Sequence, residues 1–394
     1  LQTLAISMME SFSASRLGTM KHFINVLEDE GALNRELEFL PDDEELTERR
    51  DRGEGLSRPE LSVLLSYSKI TLYQQLLVSD VPEDAWLSDE AVNYFPAPIR
   101  ERFGALVGRH RLKREIIATQ VTNSLVNRMG ASFVLRMQED TGASPGDVAR
   151  AYTIARELFE AREFWKKVER LDNRVSSELQ LESMLNMWNL LRQATRWLLN
   201  LPGRNLDIRA MVKRLAPGLK AMGPVLRKSL GADEAEQFAK GVAHFAEGGF
   251  PKALAERAMM LRYVFPALDV VETAARRKTN VDRVFAAFFG IGNELQISWL
   301  RRQVENLDVA GQWHAMSRAN LRDELFSQHN RLVEHVLQQG GRKQDPVGAW
   351  LQQHRALMDK VGKMLNRMKS AGEMDYATLA VAVRALQQLA DETD

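Results

Sequence analysis

The residues most suggestive of phosphate chemistry are Gly290 and Gly292, in the run Phe288-Phe289-Gly290-Ile291-Gly292-Asn293. A dinucleotide fingerprint needs a strand before the glycines, a third small residue and a helix after them, because backbone must approach a pyrophosphate at a helix N-terminus. Here Val281, Val284, Phe285 and Phe288 lead in at helical spacing, and the third position is Leu295. The run therefore reads as a helix break or a close helix contact. The seven histidines are His22, His110, His244, His314, His329, His335 and His354. A helical metal site wants ligands three or four residues apart on one face, and no two of these are so spaced. His329 and His335, six apart, are expected on opposite faces, and surface or capping roles are expected for the set. A Ser/His/Asp triad is assembled in space, so spacing alone leaves it open. The 394 residues contain no cysteine, which removes disulfides, thiolate zinc sites, iron–sulfur clusters and cysteine nucleophiles together and fits a reducing cytoplasm. No residue is assigned to catalysis, to a cofactor or to a metal.

Charge is uneven although 53 basic residues balance 53 acidic ones. Residues 28–60 carry 13 acidic and 5 basic side chains, residues 100–128 carry 7 basic and 2 acidic, and residues 196–228 carry 8 basic and 1 acidic. Basic stretches can bind phosphate backbones by counterion release. Arg109, Arg111, Lys113 and Arg114 read as wrapping round a helix rather than lining one face, and no nucleic-acid module accompanies them. Pairing with the acidic segment, within the chain or across to a neighbour, is the expected use. Trp188, Trp197, Trp299, Trp313 and Trp350, with Met184, Met187, Met259 and Met260, are expected to fill gaps between helices.

The elements that must position these residues are helical almost everywhere. Phe103, Leu106 and Val107, then Ile116, Ile117, Val121, Leu125 and Met129, describe one long stretch with a bend near Gly108. Ile154, Leu158, Trp165 and Val168 give another. Leu181, Met184, Leu185, Trp188, Leu191, Thr195 and Leu198 hold one face for nearly five turns, and Leu379, Ala382, Val383, Leu386 and Leu389 close the chain. Ser57 to Glu60 has the form of a capping box; Ser144-Pro145 and Asp345-Pro346 place proline at a first helical position. Gly340-Gly341, Gly248-Gly249 and Pro202-Gly203 mark stops. The fold class is all-α, a bundle-like array without significant sheet. Residues 41–59, 200–207 and 340–348 read as linkers, giving a leading helix and acidic linker over 1–54, a helical unit over 55–200 and a second over 201–394. No apolar run reaches the roughly 18 residues of a membrane span. Leu1, Leu4, Ala5, Met8, Met9 and Phe12 open the chain in mid-helix with no cap ahead, as in a piece of a longer polypeptide.

Gly55-Leu56-Ser57-Arg58-Pro59-Glu60-Leu61, continuing to Ile70, resembles the GLxRPEL block of the large NAD-specific glutamate dehydrogenases. In the order of that family follow Tyr94-Phe95-Pro96, His110 to Thr119, Val126 to Gly130, Glu139 to Ala143, Val148 to Tyr152 and Thr195 to Leu199. The resemblance is dense to about residue 200 and thinner beyond, where Gly292 to Arg301 and Trp313 still fit. Ser62, Ser66 and Ser68 depart from it modestly. It implies the helical region that follows the dehydrogenase core. The parent enzyme would oxidatively deaminate glutamate to 2-oxoglutarate and ammonia with NAD. Such an enzyme needs a parallel-sheet nucleotide domain and a Lys and Asp at the substrate carbon; neither domain matches here, so no catalytic residue is carried over. The expected partners are the catalytic core of the same polypeptide and a homo-oligomer, with neither membrane nor nucleic acid, and the expected location is cytoplasmic.

Two alternatives remain: an independent helical adaptor or nucleic-acid-binding module, and an enzyme whose site lies between helices. A salt-dependent titration with duplex and single-stranded nucleic acid tests the first; the expected outcome is no measurable binding at physiological ionic strength.

Overall fold

The helical periods become α-helix. The computed structural model describes residues 2–203, 206–309, 312–340, 345–372 and 374–393, and among these described residues there is no strand. Local start signals work as their chemistry dictates. The Ser57 N–H donates to Glu60 Oε2 at 2.6 Å, the Asp147 N–H to Ser144 Oγ at 3.1 Å and the Gly348 N–H to Asp345 Oδ1 at 2.9 Å. Gly249 ends the helix Ala232–Glu247 at a φ of +98°, open to glycine and costly for other residues. Residues 341–344 of the 340–348 linker, Gly341 among them, lie outside the described residues.

The chain divides into two compact units, Leu1–Phe265 and Pro266–Asp394. In the first, the helix Pro145–Leu158 is enclosed by Ser177–Leu199, Ile208–Ser229, Ala161–Glu169, Phe133–Thr141, Arg58–Leu77 and Lys113–Met129. Gly146, Ala149, Ala151 and Ala155 keep its surface low, so neighbours approach closely. The turn after Leu199, read as a linker, lies inside this unit, because Ile208–Ser229 returns to pack on Pro145–Leu158. The 1–54 segment is stitched in as well. The Leu56 N–H donates to Ser13 Oγ at 2.7 Å, and the helix Gln2–Ser11 packs on Arg58–Leu77.

In the second unit the helix Gln312–Gln339 is the centre, packed by Val281–Glu294, Ile297–Glu305, Pro346–Gln353 and Tyr376–Glu392. Leu379, Ala382, Val383, Leu386 and Leu389 are all buried, as their spacing requires. Trp350 is 1% exposed, but Trp313 is 76% exposed and does not fill a core gap.

Two expected continuous stretches are broken. The first consists of Ala97–Phe103, a 3₁₀ segment Gly104–Arg109, and then Lys113–Met129. His110 is extended, and its Nδ1 accepts the Leu112 N–H at 3.1 Å, a side-chain bond that competes with helix continuation. Arg109 and Arg111 therefore precede the helix instead of wrapping round it. The second stretch is broken at Glu160, whose φ is +48°.

Gly55 faces the turn after Gln2–Ser11, where an added Cβ would stand 2.6 Å from the Ala14 nitrogen. Gly55→Ala should lower stability by about 1–3 kcal/mol in urea unfolding, since backbone must move. Gly362→Ala, mid-helix with open space around it, should raise stability by about 1 kcal/mol.

Candidate functional site

Exposed apolar side chains concentrate on two parts of the first unit, and the two differ in charge. The acidic one is the turn from Asn34 to Leu40. Leu37 is 74% exposed and Phe39 is 89% exposed, with Phe39 held at a φ of +54°. An aromatic at positive φ persists only where its surroundings over-determine it. Arg35 supplies that constraint: its Nε donates to Glu28 at 2.9 Å, Nη2 to Asn25 at 2.6 Å and Nη1 to Asp43 at 2.9 Å. Tyr67 donates its hydroxyl to Glu38 at 2.7 Å, and Lys21 pairs with Asp43 at 2.9 Å. The bonds from Lys21 and Arg35 hold the Asp43 carboxyl below its ordinary pKa. Beside the turn lies a shallow groove of about 600 Å³ lined by Glu28, Glu36, Asp42 and Glu45 with Leu33 and Leu40.

The basic part runs from Tyr94 to Arg114. Tyr94, Ile99, Phe103, Leu106 and Leu112 are between 43% and 57% exposed, while Val107 alone of the expected Phe103–Val107 stripe is buried. Arg102 lies against the Phe103 ring, and Arg109 and Arg111 project nearby in sequence; among the described residues these three have no carboxylate partner. Arg114 pairs with Glu83. Sequence reasoning missed both surfaces. Helical spacing nominated Phe103 and Leu106 as core, and Leu37 and Phe39 sit in a turn where no period operates.

Charge pairing is mostly local. Among the described residues, the ion pairs of the acidic segment's carboxylates run to Lys21, Arg35, Arg49, Arg50 and Arg52, not to the two basic stretches as the charge tally suggested. The basic stretches find Glu169 through Arg128, Asp140 through Arg196 and Glu256 through Arg227. A cleft lined by Arg16, Arg136 and Arg192 also lies in the first unit, with the Arg16 guanidinium 4.3 Å from the Phe12 ring and 4.5 Å from Trp188. Its interior volume is about 10 Å³, room for a water and not for a metabolite.

The histidines are dispersed. His22 contacts Glu139 at 2.5 Å, His244 contacts Glu182 at 3.0 Å, His314 stacks on Tyr376, and His354 lies 3.1 Å from Gln339. Among the described residues no three His, Asp or Glu side chains converge on a common point. The expectation of surface or capping roles fails at two positions: His329 is 1% and His335 is 7% exposed, with His335 Nδ1 3.1 Å from Thr393 Oγ1.

Gly290 and Gly292 lie inside the continuous helix Val281–Glu294. An added Cβ at Gly290 would meet Val347 at 3.1 Å, and at Gly292 it would meet the His329 ring at 3.3 Å. The glycines are notches for neighbouring side chains, so the run does not fit a dinucleotide. His329 Nε2 donates to the Phe288 carbonyl at 2.9 Å, and its Nδ1 is buried without a partner among the described residues. Burial pushes the imidazole down to about 4; the Phe288 bond opposes this and Arg301 adds to it. The folded pKa is below the unfolded value near 6.5, so between these limits the unfolded chain holds more protons and stability is lost as pH falls. The loss should approach about 3 kcal/mol across the window, and His329→Gln should flatten the pH dependence of the urea midpoint between pH 6.5 and about 4.

Comparison with known proteins bears on the whole chain. The family model for the C-terminal part of glutamate dehydrogenase matches residues 53–388. An NAD-specific glutamate dehydrogenase of Pseudomonas aeruginosa is 38% identical over 100% of this chain, and one of Halomonas elongata is 37% identical over 99%. A third, from Mycobacterium tuberculosis, is 29% identical over 96%. The chain spans only about a quarter of each relative, 24%, 24% and 23% respectively. Matched over most of its length by that model, the chain belongs to the family of glutamate dehydrogenase C-terminal regions.

Proposed function

We propose that this chain is the non-catalytic helical part of a large NAD-dependent glutamate dehydrogenase and that it serves assembly of that enzyme. The parent would oxidise glutamate to 2-oxoglutarate and ammonia, with NAD bound outside these residues and the reaction in the cytoplasm. The observation that carries this reading is the match to the C-terminal family model over residues 53–388, together with relatives about four times as long that are named NAD-specific glutamate dehydrogenases. The geometry favours assembly over chemistry on its own terms. The glycine run that most resembled a nucleotide loop is a helix notch, whereas most of the exposed large apolar side chains among the described residues lie on two oppositely charged surfaces. Surfaces of that kind recognise protein.

A full-length enzyme truncated before Leu1 should lose its native oligomeric state by light scattering; unchanged assembly and unchanged steady-state kinetics would count against the role. The 394-residue chain, supplied with glutamate and NAD, should produce no NADH.

A further inference from the structure

The two exposed surfaces of the first unit complement each other in charge and in kind. Residues 28–60 carry a balance of −8, and residues 94–114 carry six basic side chains against one acidic. Each also presents large apolar groups: Leu37 and Phe39 on the acidic side, Ile99, Phe103, Leu106 and Leu112 on the basic side. Both are open to solvent within one chain, so neither covers the other there. The acidic side is a built receptor. Arg35 anchors the turn through three side chains, with Glu36 exposed on the turn and Glu44 exposed on the helix Asp43–Asp51 that follows; of the other carboxylates lining the adjoining groove, Glu28 is held by Arg35, Asp42 accepts the Glu45 N–H and Glu45 pairs with Arg49. An aromatic side chain carried on a braced turn beside a charged groove costs little backbone ordering on docking, as anchor residues of interfaces do. What the groove lacks is cations that are not already engaged, and Arg102, Arg109 and Arg111 are of that kind on the basic surface.

We propose that the acid-lined groove beside Leu37 and Phe39 of one copy receives the Phe103–Leu112 turn of a second copy of this chain, with Arg109 and Arg111 facing Glu36, Asp42 and Glu45. It rests on the assembly role proposed above and names its partner. The contact joins unlike surfaces, so two such contacts close a two-fold pair, whereas single contacts extend head to tail.

Sedimentation velocity on this chain over a dilution series, at about 50 and about 500 mM salt, tests the pairing. Self-association should appear and weaken at least ~tenfold at the higher salt, as screening of exposed charges requires. The combined variant Arg102→Glu, Arg109→Glu and Arg111→Glu should lose it, as should Glu36→Lys with Glu44→Lys, and Leu37→Ser with Phe39→Ser. Mixing the two charge-reversed variants should restore association that neither shows alone, which also demonstrates that both are folded. A wild-type chain that stays monomeric at about 100 µM, association indifferent to salt and to these variants, or a mixture that does not recover, would overturn the pairing. A photo-crosslinker at position 37 in a full-length enzyme separates this inference from the broader role. Capture of residues 97–114 from a second copy supports it. Capture of a segment outside this chain overturns it and leaves assembly standing, while normal assembly of the enzyme truncated before Leu1 removes the role itself.

Discussion

Enclosure of one helix on nearly every side is the constraint from which the first unit follows. In Pro145–Leu158 ten of fourteen residues are buried, far more than the single stripe of a surface helix, so its neighbours must surround it. Small residues make this possible, since Gly146, Ala149, Ala151 and Ala155 add little between helix axes. Enclosure also forces its polar members to be satisfied from within. Arg156, 1% exposed, donates to Ser124 Oγ at 2.9 Å and pairs with Glu157 at 2.8 Å, while the Tyr152 hydroxyl donates to the Ser124 carbonyl at 3.0 Å. Removing either partner would leave a buried donor with nothing to offset its lost hydration.

The second unit meets the same demand with polar side chains along a single long helix. On Gln312–Gln339, Arg322 reaches Glu305 at 2.8 Å, Asn330 reaches Asp269 at 2.8 Å, Arg331 reaches Asp391 at 2.8 Å and Glu334 takes Arg276 and Arg277. The partners come from three helices, Ala267–Arg277, Ile297–Glu305 and Tyr376–Glu392. A helix held only by apolar contact can slide or rotate at small cost; one held by directional bonds to several neighbours has one register. His329 belongs to this set, and Gly292 is the notch that lets its ring reach the Phe288 carbonyl.

Surface charge obeys a shorter-range logic. Arginines close to the acidic segment neutralise much of it, and in doing so Arg35 and Arg49 brace the segment against the body of the unit. What remains unpaired is therefore rigid rather than loose, which is the condition for a surface to recognise a partner selectively. The basic turn around Arg109 differs in that Arg102, Arg109 and Arg111 have no carboxylate partner among the described residues, and the break at His110 sets it apart in sequence from the helix Lys113–Met129.

Helix content was legible because the signals for it are local: backbone bonds span four residues, and the apolar period that marks a helix is read over two or three turns. The Ser57, Ser144 and Asp345 starts and the Leu379–Leu389 stripe are where spacing and capping chemistry put them. The family resemblance was legible for a related reason, since blocks such as Gly55 to Leu61 combine a cap, a proline and a tight contact that few sequences need together. Tertiary structure alone decided what each helix face meets. His329 and the Phe288 carbonyl are 41 residues apart, and Ser13 and Leu56 are 43 apart, so no period in the chain foretells either bond. The same reason puts Trp313 outside, turns Gly290 and Gly292 into notches, and leaves Phe39 and Leu106 exposed: burial is a property of what arrives from elsewhere in the chain.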